Sequence, residues 1–187
     1  MDILEIEAAL AEKLNKHRYQ HTLGVSFTSA ALAMCYGCDI KKAQVAGLLH
    51  DCAKYLKGDE LLKAAREYSL PVNQYEEKNP SLLHGKVGAY FASQVYGEND
   101  TEILSAITWH TTGKPDMSLL DKIVFIADYI EPGRRDLPGL SDIRRLAYTD
   151  IDKAVLGELK STVDYLRANG TEIDPATLKT MEFYEKI

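Results

Sequence analysis

At 187 residues and 45% hydrophobic composition, the chain is long enough to bury a sizeable core without disulfides or a structural metal. Its formal net charge of −6 argues against a general affinity for nucleic acid or an anionic membrane, and no apolar run approaches the roughly 20 residues of a membrane span. Three cysteines, Cys35, Cys38 and Cys52, with no secretory leader at the N-terminus, point to a reducing cytoplasm.

In chain order, apolar residues at Ile3, Ile6, Leu10 and Leu14 recur at helical spacing, and HTLGVSFTSAALAMCYG carries Val25, Ala30, Leu32 and Ala33 to a stop at Gly37. Asp39 predicts an N-cap for a helix over 40–56; Gly58-Asp59 restarts the chain into ELLKAAREYSL, which Pro71 closes. Segments 81–96, 100–111, 117–130, 141–148, 150–168 and 175–185 read the same way, separated by Gly, Pro or Asn. No alternating run of strand length interrupts them. The expectation is an all-α bundle of about eight to ten helices. It forms a single domain over 1–187, with 141–187 as C-terminal helices packing on the rest.

Four of the five histidines interrupt apolar helical stretches: His21 in RYQHTLGV, His50 in GLLHD, His84 in SLLHGKVG and His110 in AITWHTTG. The fifth, His17, reads as a capping or hydrogen-bonded residue. Asp128 is a lone carboxylate within KIVFIADYIEP, and burying it without partners costs several kcal/mol. A shared metal site answers all of these interruptions at once. Neutral imidazole with carboxylate suits a transition-metal ion such as Fe, Mn, Co, Ni or Zn better than Mg or Ca. Adjacent residues on a helix diverge by roughly 100°, so His50 and Asp51 share an ion only if it lies between their directions. Lys54, three residues on from Asp51, lies on the same face and is poised beside whatever anion the ion holds.

Together, HRYQH at 17–21, HDCAK at 50–54, LLHGKVGA at 82–89, ITWHTTG at 107–113 and IADYIEPGRR at 126–135 resemble the HD-domain superfamily of metal-dependent phosphohydrolases. Within it they resemble the bacterial HD-domain symmetrical diadenosine tetraphosphate hydrolases, with a catalytic core over about 15–135. The resemblance implies that His21, His50, Asp51 and Asp128 are the primary ligands of a divalent transition metal, iron in the first instance. His84 and His110 would line the phosphate site or complete a second metal position; with Asp51 and Lys54 they form the implied catalytic set. It also implies a small nucleotide substrate, cleaved symmetrically into two ADP.

Lys54, Thr111 in HTTGKP, and Arg134 just past the Asp128 helix are the candidate phosphate contacts, with Arg18 and Lys86 ranked lower. No nucleic acid or membrane partner is expected, and a homodimer is left open. Competing readings are another HD phosphohydrolase acting on nucleoside monophosphates or signalling nucleotides, and a non-catalytic nucleotide-binding regulatory domain. Cys35-Tyr-Gly-Cys38 offers a redox or zinc alternative, thin without a second cysteine pair or a βαβ pattern.

Overall fold

The structure, a computed structural model, describes residues 1–187. It is all-α, with eleven α-helices, one 3-10 turn and no strand. Helix α1 (Ile3–Lys13) starts at an Asp2–Glu5 capping box, and α2 (Lys16–Tyr36) starts at Asn15, whose side chain accepts from the Arg18 amide. Helix α2 thus begins before His21, so that His21 sits well inside it. Helix α3 (Ile40–Leu49) is capped by Asp39 as the sequence predicts. There follow α4 (Gly58–Glu67), α5 (Gln74–Lys78), a 3-10 turn (Pro80–Leu83), α6 (His84–Gln94) and α7 (Thr101–Trp109). The chain closes with α8 (Leu119–Ile130), α9 (Leu140–Ala147), α10 (Ile151–Ala168) and α11 (Pro175–Tyr184).

Two features differ from the expectation. Helix α3 ends at Leu49 and does not run to 56. Beyond it the amides of Cys52, Lys54 and Leu56 bond back three residues, to the carbonyls of Leu49, Asp51 and Ala53, so His50 to Leu56 is a series of tight turns. The apolar spacing of this stretch suits either geometry, and tertiary packing of the fully buried Cys52 and Ala53 decides it. The extra helix, α5, spans five mostly polar residues without a periodic face; its sign is the capping box of Asn73 and Glu76.

Helices α2, α3, α7 and α8 pack against one another, α6 lies on α7, and α10 bridges α8, α9 and α11. One apolar core runs from Ile6 in α1 to Tyr184 in α11, so the C-terminal helices share it; a smaller cluster lies under α4 and α6. Two close approaches set the spacing near the histidines. A Cβ at Gly47 would fall 2.8 Å from the Ser26 Cα, and one at Gly85 would fall 2.7 Å from the Thr108 carbonyl oxygen. Glycine therefore lets α3 sit directly on α2, and α6 on α7, just before His50 and beside His84. Gly85→Ala is expected to destabilise the protein by about 1–3 kcal/mol in urea unfolding, despite alanine's higher helix propensity. An increase in stability would contradict the close-packing account.

Candidate metal centre

Three of the six predicted ligand-type positions stand where helices end, and they bring the group together. His50 caps the C-terminus of α3, His110 that of α7, and His84 stands between the 3-10 turn and α6. Carbonyls at a helix end are short of intrahelical partners, and each of these imidazoles uses the one three residues back, that of Ser81 also taking the His84 amide. Nδ1 of His50, His84 and His110 donates to the carbonyls of Gly47, Ser81 and Ile107, at 2.6, 2.5 and 2.7 Å. That bond fixes the tautomer and turns each Nε2 lone pair inward. The turn after Leu49 also removes the divergence expected of His50 and Asp51 on a regular helix.

The inward atoms form two groups that share Asp51. Its Oδ2 lies 3.5 Å from His50 Nε2 and 4.0 Å from His21 Nε2, and Asp128 Oδ1 is 3.0 Å from His21 Nε2 and 3.9 Å from His50 Nε2. Its Oδ1 lies 3.4 Å from His84 Nε2 and 3.6 Å from His110 Nε2. His21, His50, Asp51, His84 and His110 are all buried. Three of the converging atoms, His21 Nε2, His50 Nε2 and Asp51 Oδ1, make no hydrogen bond. The Nε2 atoms of His84 and His110 face each other at 2.9 Å. Two lone pairs at that distance need a cation or a proton between them. Orphaned buried donors of nitrogen and carboxylate type fit the divalent metal that the arrangement implies.

Side-chain cations surround the group. Arg18 Nη1 contacts Asp51 Oδ2 at 2.7 Å, Arg134 pairs with Asp128 through Nη2, and Lys54 Nζ reaches His84 Nε2 at 3.0 Å and Asp51 Oδ1 at 3.8 Å. Thr111 Oγ1 is 3.0 Å from His84 Nε2. Burial opposes ionisation of Asp51, but His50, Lys54 and His110 outweigh it and hold the carboxyl well below the usual range. Asp128 is likewise lowered, since His21, His50 and Arg134 overcome its burial. Burial, with Lys54 and His110 nearby, pushes His84 down to about 3, so it is a neutral acceptor. Burial alone would lower His21, yet its contacts with Asp128 and Glu131 raise it.

The candidates sort clearly. His21, His50, Asp51, Lys54, His84, His110, Thr111, Asp128 and Arg134 are brought together. Arg18 joins them, whereas Lys86 turns away to Glu76 and the Pro71 carbonyl, and His17 is exposed. The three cysteines are free, and none belongs to the histidine–aspartate groups. Nothing in the sequence singles out two buried acids of the site. Glu131 accepts from His21 Nδ1 at 3.0 Å. Glu158 on α10 lies within the fields of Asp128 and Arg134, and one of its buried oxygens is unpartnered.

Histidine and aspartate donors at the helix junctions of an all-α bundle define the metal-dependent HD-domain hydrolases. The HD domain family model matches residues 18–133, and the chain belongs to that family. It is 39% identical to the symmetrical bis(5'-nucleosyl)-tetraphosphatase of Bacillus subtilis (strain 168), over 94% of each chain. It is 42% identical to the protein of the same name from Halalkalibacterium halodurans, over 89% of this chain and 88% of that one. Its fold matches, with a TM-score of 0.96 and 37% identity, a crystal structure described as a predicted HD superfamily hydrolase involved in NAD metabolism from Clostridium acetobutylicum. That match covers 100% of this chain and 98% of the other.

Glu158 supplies a pH test. Burial, reinforced by Asp128, raises its carboxyl well above the ordinary value despite Arg134. The folded state therefore keeps a proton that the unfolded chain releases near its ordinary pKa of about 4.3, and stability falls as pH rises above that point. Glu158→Gln is expected to melt higher than wild type, with the gap wider at pH 8 than at pH 5. A gap independent of pH would count against a protonated Glu158.

Proposed function

We propose that the protein hydrolyses dinucleoside polyphosphates in a metal-dependent reaction, cutting diadenosine tetraphosphate at its central anhydride into two ADP. The observation that carries this reading is the division of Asp51 between two donor groups in a chain that aligns over most of its length with symmetrical tetraphosphatases. His21, His50, Asp128 and Oδ2 of Asp51 would hold the primary ion; His84, His110 and Oδ1 of Asp51 would hold a second. Imidazole and carboxylate donors suit iron, which we propose, and also manganese, cobalt, nickel or zinc. A divalent ion in such a set supplies Lewis acidity at a phosphoryl oxygen and a water acidified toward neutrality.

The chain's own groups do the rest. With Nδ1 committed to a carbonyl and Nε2 unprotonated, neutral His84 has no proton to offer a phosphate oxygen, which favours the ligand role over a phosphate-donor role. Lys54, Arg134 and Arg18 are each partly exposed, at 31, 37 and 29% of the side chain, and line the approach to the buried carboxylates. They would gather the anionic phosphates, with Thr111 donating from the rim of the second group. As the P–O bond breaks, charge grows on the departing diphosphate oxygen, and Lys54 beside Asp51 is placed to stabilise it. The hydroxyl of water joins one of the two central phosphorus atoms and the bridging oxygen leaves with the other, so the products are two ADP, with two protons released when both are fully ionised. A net charge of −6 argues against a nucleic acid as the ligand, while the local cluster of Arg18, Lys54 and Arg134 supports a small polyanion. Three free thiols support a reducing compartment, and the continuous core supports reading 1–187 as one domain. A second reading, hydrolysis of a pyridine dinucleotide, is favoured by the description of the Clostridium structure.

The test is product analysis with anaerobically prepared protein, Fe(II), Mn(II) or Co(II), and a panel holding diadenosine tetraphosphate and NAD. ADP as sole product, abolished by chelator, is expected; ATP plus AMP would overturn the symmetrical cut, and turnover of NAD alone would favour the second reading. Asp51→Ala is expected to lose both metal and activity. Lys54→Ala should keep its metal while kcat falls about 10²-fold, and metal loss in that variant would sink its assigned role.

A further inference from the structure

Three of the four site histidines find an Nδ1 acceptor within their own turn because each stands at a helix end. His21 cannot. It lies within α2, where the carbonyls one turn back are occupied by the helix's own amides. Its acceptor comes from the far side of the fold: Glu131 at the C-terminal end of α8, 110 residues away, takes the Nδ1 proton on Oε1 at 3.0 Å.

The surroundings of Glu131 are built to hold that carboxylate. The acid is buried, with 3% exposure. Its Oε2 accepts from the Gly133 amide at 2.5 Å. A Cβ at Gly24, one turn after His21, would fall 2.5 Å from Oε2, and one at Gly133 would fall 3.0 Å from it. Two glycines therefore leave the carboxylate its space. From α9, Arg144 donates Nε to the Ile130 carbonyl and Nη2 to that of Glu131, both at 3.0 Å, and pins the backbone that carries the acid.

We infer that Glu131 is the positioning residue of His21: its carboxylate fixes the ring with Nδ1 protonated and Nε2 directed at Asp128, and makes that nitrogen a stronger donor than its three neighbours. The distinction is chemical. The other imidazoles lean on neutral carbonyls, while His21 leans on an anion, which raises the basicity of the opposite nitrogen. This rests on the metal site proposed above, and Glu131 acts only through His21.

The test is Zn(II) affinity by competition with a chromophoric chelator, on full-length wild type, Glu131→Ala, Glu131→Gln and Gly24→Ala, with the melting temperature of each metal-free protein as a control for folding. Glu131→Ala is expected to weaken Zn(II) binding by about 10- to 100-fold. Glu131→Gln, which keeps an acceptor oxygen but not the charge, should recover the orienting part of that loss and bind between wild type and Glu131→Ala. Gly24→Ala retains the acid but displaces its carboxylate, and should weaken binding even if Glu131→Ala fails to fold. In the Zn(II)-loaded wild type, proton–nitrogen NMR should show a slowly exchanging His21 Nδ1 proton, kept in Glu131→Gln and broadened by exchange with water in Glu131→Ala. Affinity within twofold of wild type in both Glu131→Ala and Gly24→Ala, or equal losses in the Ala and Gln variants, would overturn the inference. Failure of wild type itself to bind Zn(II) would instead overturn the metal site, and the inference with it.

Discussion

The centre of this protein depends on a single buried carboxylate. Asp51 is 2% exposed and sits where four imidazoles and two side-chain cations meet, each oxygen turned to a different group. An isolated carboxylate in that position would cost several kcal/mol, so the surrounding positive charge is a condition for the fold as well as for chemistry. Arg18 and Lys54 meet that condition in part. They leave Nε2 of His21, Nε2 of His50 and Oδ1 of Asp51 without a hydrogen bond, and it is these unmatched lone pairs that give the site its demand for cations.

Helix ends make the arrangement possible. The same interruption of α3 that frees the Gly47 carbonyl also bends the chain so that His50 and Asp51 point to one place. At His84 and His110 the economy is similar: a carbonyl at a helix end becomes the anchor of a ring, that of Ser81 taking the His84 amide as well. Close helix contacts at Gly47 and Gly85 carry these ends within reach of one another. Backbone termination, ring tautomer and donor direction are thus consequences of one local event, repeated three times.

Much of this was legible in the sequence, because histidine and aspartate inside apolar helical runs stand out against the pattern that a core requires. Ten of the helices announced themselves through apolar periodicity. The break after Leu49 did not, since LLHDCAKYL has the spacing of a continued helix and only packing separates the two outcomes. Glu131 and Arg144 stayed hidden for a different reason. Each looks like an ordinary charged residue near a helix end, and its significance lies in partners 110 and 13 residues away. Glu158 was hidden because a single acid in the polar pattern of α10 reads as solvated until α8 and Arg134 are seen to cover it.

The same long separation gives the site a mechanical meaning. The chain has no disulfide, and its terminal segments are held by packing, a hydrogen bond from the Met1 amine to the Tyr96 carbonyl and an ion pair between Lys160 and Glu185. An ion gripped by His21 and His50 on one side and Asp128 on the other would close a loop of more than a hundred residues, as a covalent staple does in secreted proteins. Unlike a staple it can be withdrawn. Because ligands that bind only the native state stabilise it by mass action, scarcity of the metal would loosen the joint between α2 and α8 as well as silence the chemistry. The resistance of the protein to unfolding then becomes a gauge of how much metal the cell can spare.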